Sequence, residues 1–396
     1  MQCGHHRLDK KQTGDADQMW HELTSDQQLL RDTTARYLAD RVPLDRQRKQ
    51  ADHPAGFEPD YWTSGAELGW IMPLVSEDMG GGSVSGRDIV DLSLIAYEFG
   101  RHSAPGPLVD CNVVASALSD SGDEGHAEAL EAIMMGQAIA ANCLGWAPWQ
   151  QPGEATISIA RQGDDLVING SVRPVESAAQ AGYFLVTGTS DGGVTQALVP
   201  ASTAGITIKA LKAIDVSRKF GAVSFDNVRV PASALVGDFG GAGEAVALQV
   251  RRAAVVLCAE SVGAMESAFE MTVDWAFDRY TFGRALASYQ ALKHRFADMK
   301  SWLEASHAIC DAAADSLADG LERAAETVSS AKAYIGENGV ELAQDCVQIH
   351  GGIGVTYEHD LHFFLRRVTL NRLLYGTPGD HRRWLAAMQI EKELAA

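Results

Sequence analysis

Hydrophobic positions change their period twice along this chain. From about residue 23 to residue 135 they recur every three to four residues, as one face of a helix requires. LTSDQQLLRDTTARYLADRV opens on Thr24-Ser25-Asp26, side chains able to cap a helix, before its apolar stripe begins. DIVDLSLIAYEFGR and NVVASALSDSG continue the pattern, and the Gly- and Ser-rich SEDMGGGSVSG at residues 76–86 predicts a loop. From residue 136 to 245 the alternation becomes short and strand-like, in ATISIARQ, DLVING, YFLVTG, TQALVP, GITIKAL and AVSFDNVRV. Asp164-Asp165, Asp191-Gly192-Gly193 and Asn227 supply turn chemistry between these runs. From residue 246 to 396 the helical period returns, with helices expected over 253–278, 289–318, 322–350 and 382–394. Residues 1–22 read as a flexible extension.

The order helices, sheet, helices contains no βαβ alternation, which argues against a doubly wound dinucleotide fold. The expected class is α+β: an N-terminal helical domain (23–135), a middle antiparallel β-barrel (136–245) and a C-terminal helical bundle (246–396).

A formal charge of -19 leaves no basic footprint for nucleic acid and disfavours anionic membranes. No apolar run approaches the roughly 18–20 residues needed to span a bilayer. The six cysteines are scattered, without C-x-x-C spacing, which suits reduced thiols in a cytoplasmic protein and no metal site.

Two segments carry candidate chemistry. Arg279-Tyr280-Thr281-Phe282-Gly283-Arg284 is followed by Gln290, and Gln348-Ile349-His350-Gly351-Gly352-Ile353-Gly354 lies further on. Glycines let a backbone approach a phosphate and aim amides at it, and Arg with a nearby Thr can grip a pyrophosphate. Within this order of elements the segments resemble the acyl-CoA dehydrogenase superfamily, whose members carry R-x-x-F-G and then Q-x-x-G-G-x-G. The resemblance extends to Tyr97-Glu98-Phe99-Gly100-Arg101, Ile168-Asn169-Gly170 and Val228-Arg229-Val230-Pro231. It implies a four-helix bundle at the C-terminus and tetramers built as a dimer of dimers. It also implies FAD, an acyl-CoA substrate from lipid metabolism and an electron-accepting flavoprotein partner. The implied reaction is α,β-dehydrogenation, in which a carboxylate takes the α-proton and the flavin accepts a hydride. Carried over by position, Arg279, Thr281, Phe282, Gln290, Gln348, Gly351 and Gly352 match FAD contacts lent to a neighbouring subunit. Thr377 matches the Thr after the family's catalytic Glu-Gly.

The resemblance fails at three places. Counting without gaps from residues 352–354, the catalytic Glu position falls on Tyr375, and a phenol of pKa about 10 is a poor base at neutral pH. Tyr375 therefore reads as an aromatic lid residue. The alternative Glu position, on the first bundle helix, falls on Ala253. Glu260 shares its azimuth but lies roughly 10 Å along the axis, opposite the apolar stripe, and is a weak candidate base, with a buried polar contact or an exposed face as the competing expectation. The flavin-ring contacts are replaced by Cys143-Leu144-Gly145-Trp146-Ala147-Pro148-Trp149 and Pro174-Val175-Glu176. Parts for a subunit's own flavin ring are altered, while parts lent to a neighbour are intact. That pattern predicts a heterotetramer in which a homologous chain supplies the catalytic Glu. The competing expectations are a homotetramer with a non-standard base, and a flavin oxidase, monooxygenase or non-catalytic relative. Asp380 is expected to cap the last helix, His350 to pack or to touch cofactor, His381 and Arg382 to lie near substrate, Glu358 to Asp360 to open a surface or interface helix or to form a polar cluster, Arg366 and Arg367 to pair with acidic neighbours, and Glu98 to pack on a helix that the resemblance places beside the acyl pocket.

Overall fold

Thr24 begins the first helix by a reciprocal pair of bonds: its hydroxyl accepts the Gln27 N–H (3.2 Å) and the Gln27 carboxamide accepts the Thr24 N–H (3.1 Å). The computed structural model describes residues 23–150 and 154–395, so the expectation for residues 1–22 lies outside the described residues. Six helices come first: α1 (Ser25–Arg41), α2 (Leu44–Lys49), α3 (Pro59–Glu67), α4 (Asp88–Arg101), α5 (Leu108–Ser121) and α6 (Ala127–Met134). The loop expected at residues 76–86 holds one short 3₁₀ turn, Glu77–Met79.

Eight strands follow: β1 (Ile139–Leu144), β2 (Ile157–Gln162), β3 (Asp165–Glu176), β4 (Ala181–Ser190), β5 (Gly193–Pro200), β6 (Ile206–Leu211), β7 (Phe220–Pro231) and β8 (Leu235–Val236). They form one open sheet in the order β6-β7-β3-β2-β4-β5-β8, with β1 also on β4. This corrects the expected antiparallel barrel in two ways. The two ends, β6 and β8, do not pair, since β6 has mostly exposed side chains and β8 is only two residues long. In addition, β1 runs parallel to β4, from Ile139 opposite Ala181 to Leu144 opposite Thr187. Alternation did not reveal β1, because four of its six residues are buried in succession.

The last part holds α7 (Gly243–Asp278), the two-residue strands β9 (Tyr280–Thr281) and β10 (Arg284–Ala285), α8 (Gln290–Ala318), α9 (Ala324–His350), α10 (Leu361–Asn371) and α11 (Pro378–Ala395). The central helix α7 packs against α4, α5, α8, α9 and α10. From Ala253 to Glu266 every residue of α7 is buried, so the one-sided stripe read from the sequence becomes a fully enclosed segment. Among the described residues no helix is long and apolar enough to cross a membrane.

Candidate functional site

The end of α10, the turn at residues 372–376 and the start of α11 form a corner tied down from three sides. Lys332 of α9 donates from Nζ to the carbonyls of Asn371 (2.7 Å) and Gly376 (3.1 Å). These carbonyls lie beyond the last helical hydrogen bonds and need a donor. Thr377 is the cap of α11: its N–H and its hydroxyl both donate to Asp380 Oδ2 (2.8 and 2.6 Å), and the Asp380 N–H returns to Thr377 Oγ1 (3.2 Å). The expected capping role of Asp380 is thus shared with Thr377, and both Thr377 donors are engaged inside the corner. His381 donates Nε2–H to the Tyr375 carbonyl (3.0 Å), and its Nδ1 accepts from Ser329 (3.2 Å). Burial pushes the His381 imidazole down to about 4, so it is neutral here. Gly376 has φ +99°, and a Cβ there would stand 2.8 Å from His381 Nε2, so only glycine fits.

Tyr375 is no loose lid. Its backbone sits at φ +53°, uncommon and strained for an aromatic residue. The phenol holds it there by donating to Asp110 Oδ1 (2.7 Å) and accepting from Asn142 Nδ2 (3.1 Å). Asp110, on the first turn of α5, also accepts the Asn142 N–H through Oδ2 (3.1 Å). Burial, with the nearby Glu176 charge second, raises Asp110 to about 7.

A cavity of about 420 Å³ opens beside these groups. Leu144, Ala147 and Trp149 from the first altered segment line it, as do Pro174 and Glu176 from the second, with Asp110, Asn142 and Tyr375. The residues singled out as departures therefore converge on one place. Glu176 is bound by Arg218, whose Nε lies 2.6 Å from Glu176 Oε1 and whose Nη2 bonds Glu176 Oε2. Arg218 also donates to Asn371 Oδ1 (2.9 Å) and reaches Glu260 Oε2 (3.4 Å).

Glu260 is not placed to act as a base. Its Oε1 accepts from Arg367 Nη1 (2.6 Å) and its Oε2 from Asn371 Nδ2 (2.8 Å), so both oxygens are bound behind the cavity wall. Arg367 is fully buried, bonded also to Asp215 (2.6 Å), Ser217 (2.8 Å) and the carbonyls of Ser103 and Ala104 (3.0 and 2.9 Å). Ala253 is buried within α7. Arg366 donates to the Ile214 carbonyl and not to an acid (2.9 Å). Arg382 pairs with Glu337 on the surface (2.6 Å), away from the cavity. Glu98 is buried on α4, raised to about 7 by desolvation, and does not line the cavity.

The second candidate region lies on the surface. β9 and β10 pair as a hairpin with Phe282 and Gly283 at its tip, both at positive φ. Phe282 is 95% exposed. The Arg279 guanidinium lies 5.8 Å from the Trp275 ring centre, and Trp275 stacks on His350 at 5.1 Å. Trp275 thus joins the arginine motif to the glycine motif. His350 is the packed imidazole, bonded through Nδ1 to the Cys346 carbonyl (2.8 Å). Gln290, Gln348, Gly351 and Gly352 are exposed, and Thr281 is half-buried. Gly351 takes φ +67°, and a Cβ built at Gly351 or Gly352 meets nothing within 4 Å. An exposed guanidinium, a helix start at Gln290 and an open glycine turn make a donor set that fits the diphosphate side of FAD. The inner cavity fits the flavin ring less well, because a Glu176–Arg218 ion pair and the Asp110 carboxyl stand on its wall. Among the described residues no cluster has the composition of a metal site.

Asp110, Asn142, Arg218 and Lys332 escaped the sequence reading. They come from separate segments and follow no local spacing.

The family model for the acyl-CoA dehydrogenase N-terminal domain matches residues 24–137, and that for the acyl-CoA dehydrogenase C-terminal domain matches residues 243–389. The acyl-CoA dehydrogenase IpdE2 of Mycolicibacterium smegmatis is 26% identical over 368 residues, covering 92% of this chain and 99% of that protein. Butyryl-CoA dehydrogenase from Megasphaera elsdenii superposes with a TM-score of 0.85 at 20% identity, over 93% of this chain and 99% of that one. A structure described as a Tcur3481–Tcur3483 steroid ACAD variant has a TM-score of 0.83 at 22% identity, over 93% and 99%. The chain belongs to the acyl-CoA dehydrogenase superfamily of flavoprotein oxidoreductases.

Proposed function

We propose that this chain is a subunit of an FAD-dependent acyl-CoA dehydrogenase that oxidises the α,β bond of a CoA thioester. We further propose that it works in a heterotetramer with a homologous chain. The observation that carries this reading is the contrast between an exposed, preformed dinucleotide face and an inner cavity whose ring-side wall has been rebuilt. FAD, when bound, supplies the hydride acceptor. Arg279 offers its fork to the diphosphate, the Thr281 and Phe282 turn presents backbone and an aromatic edge, and Gln290, Gln348, Gly351 and Gly352 offer amides. Apart from the half-buried Thr281, these groups are exposed, which leaves them accessible to a neighbour's cofactor. The partner chain carries the Glu that takes the α-proton beside that flavin, and a separate flavoprotein accepts the electrons. Thr377 has no free donor for the cofactor, so the corner serves to hold Tyr375 in place. The two-component name of the steroid ACAD relative supports a paired assembly.

Expression of this chain alone and together with a homologous chain tests the reading. Bound FAD and turnover are expected only in the joint preparation, and full occupancy with turnover by this chain alone would overturn it.

A further inference from the structure

The inner cavity holds a carboxyl that this reading leaves unused. Asp110 is 4% exposed and lines the cavity, yet no cation bonds to it among the described residues. Arg218, whose charge acts on Asp110, is committed to Glu176, Glu260 and Asn371, and Arg173 lines the same cavity without a hydrogen bond to Asp110 among the described residues. Two donors aim the carboxylate instead, the Tyr375 hydroxyl on Oδ1 and the Asn142 N–H on Oδ2. A carboxylate has about four lone-pair sites, so positions toward the cavity stay open. Asn142 is 6% exposed and lines the same cavity, and its Oδ1 is buried with no hydrogen-bond partner among the described residues. A buried acceptor of that kind calls for a donor on a bound molecule. The amide N–H groups of a pantetheine arm are such donors; of the remaining wall, Leu144, Phe220, Leu370 and Leu374 suit an acyl chain, while Arg173, Glu176 and Asp380 add polar groups.

We propose that Asp110, aimed by Tyr375 and Asn142, accepts the α-proton of a CoA thioester bound in this chain's own cavity, independently of the base carried by the partner. The inference rests on the reading that the chain binds CoA thioesters. In the step the α C–H bond breaks and its electron pair passes into the enolate of the thioester. The proton goes to an Asp110 oxygen. Return of a solvent-derived proton from Asp110 to the α-carbon restores the thioester, so the exchange needs no oxidant. The titratable groups around Asp110 are Tyr375 from the corner, Glu176 and Arg218 from the sheet side, the thiols of Cys111 and Cys143, which burial pushes up, and Arg173 and Asp380, which line the same cavity. Burial and Glu176 leave Asp110 titrating at about 7, a suitable value for moving protons in neutral water.

The test is deuterium exchange. The full chain, alone and assembled with a homologue whose own base is silenced by Glu→Gln, is incubated in D2O with butyryl-CoA, octanoyl-CoA and cyclohexanecarboxyl-CoA. Binding is followed by calorimetry and α-deuteration by mass spectrometry. At least one thioester is expected to bind and to exchange, with a rate that rises with pH and levels above about 7. Asp110→Asn is expected to slow exchange about 100-fold with unchanged thioester affinity. Tyr375→Phe, which keeps the ring and removes the donor, is expected to slow it roughly 10-fold and to move the inflection to higher pH. Binding without exchange, or exchange undiminished in both variants, overturns the proposal. Failure of all three thioesters to bind overturns the reading beneath it, and the proposal with it.

Discussion

The surface face around Arg279 and the buried corner around Tyr375 are built on opposite plans. The face is local: a hairpin, a helix start and a glycine turn, each contiguous in sequence, joined by the single ring of Trp275. Its groups are exposed and few are bonded within the chain. The corner draws on α5, β1, β3, α7, α9, α10 and the loop before β7, and nearly every polar group in it is spoken for. A surface that keeps its donors free is prepared to meet something outside the chain. An interior that ties Glu176, Arg218, Glu260 and Arg367 to one another is prepared to hold its shape, with Asp110 the carboxyl left without a cation.

Substitutions can break that contrast, and the largest effect belongs to the interior. Arg367→Leu strands Asp215 without its cation and leaves Glu260 only the longer Arg218 contact, and chemical denaturation is expected to show a loss of about 3–5 kcal/mol. Glu260→Gln loosens the same network and lowers the melting temperature, but turnover of the folded assembly stays unchanged, since Glu260 faces Arg367 and not the cavity. Next comes His381. Its folded value of about 4 lies below the ordinary 6.5, so the unfolded chain binds the extra proton as pH falls through that window. Stability therefore falls as pH drops from 6.5 to 4, by about 3 kcal/mol from this group, and is fully present above 6.5. Urea midpoints at pH 7 and pH 4 should show that slope, and His381→Asn should flatten it. On the surface face Arg279→Ala is expected to weaken FAD retention by the assembly roughly 10-fold, leaving the melting temperature of the chain unchanged. Gly352→Ala has the smallest effect: stability within about 0.5 kcal/mol of the parent, and a several-fold loss of FAD that fluorescence titration would detect. An alanine at 352 that left FAD binding untouched would show that the turn is no cradle.

The same contrast explains what could be read from the chain. Helix α4 was legible to the residue and Thr24 as one of three cap candidates, because both rest on neighbours within four positions, while the bond pair with Gln27 came only from the fold. The motifs at 279–284 and 348–354 were legible for the same reason. β1 was hidden because burial on both faces erases alternation, and openness of the sheet depends on which edges meet. Tyr375 was found by spacing, but what its hydroxyl binds was not, since its partners lie 265 and 233 positions away. Glu260 is the buried polar contact that stood against its role as a base, because α7 is enclosed on all sides there. Asp110, Arg218 and Lys332 carry no local signature, and only the packing of distant segments gives them neighbours.

The central claim is that this chain lends a dinucleotide face and depends on a partner for the flavin site that turns over. FAD stoichiometry, measured by absorbance after purification of the chain alone and with a homologous chain, tests it most directly. The account predicts little or no FAD on the chain alone, and FAD with CoA-thioester turnover in the joint tetramer, lost on Arg279→Ala in this chain. A fully yellow homo-oligomer that turns over by itself would contradict it.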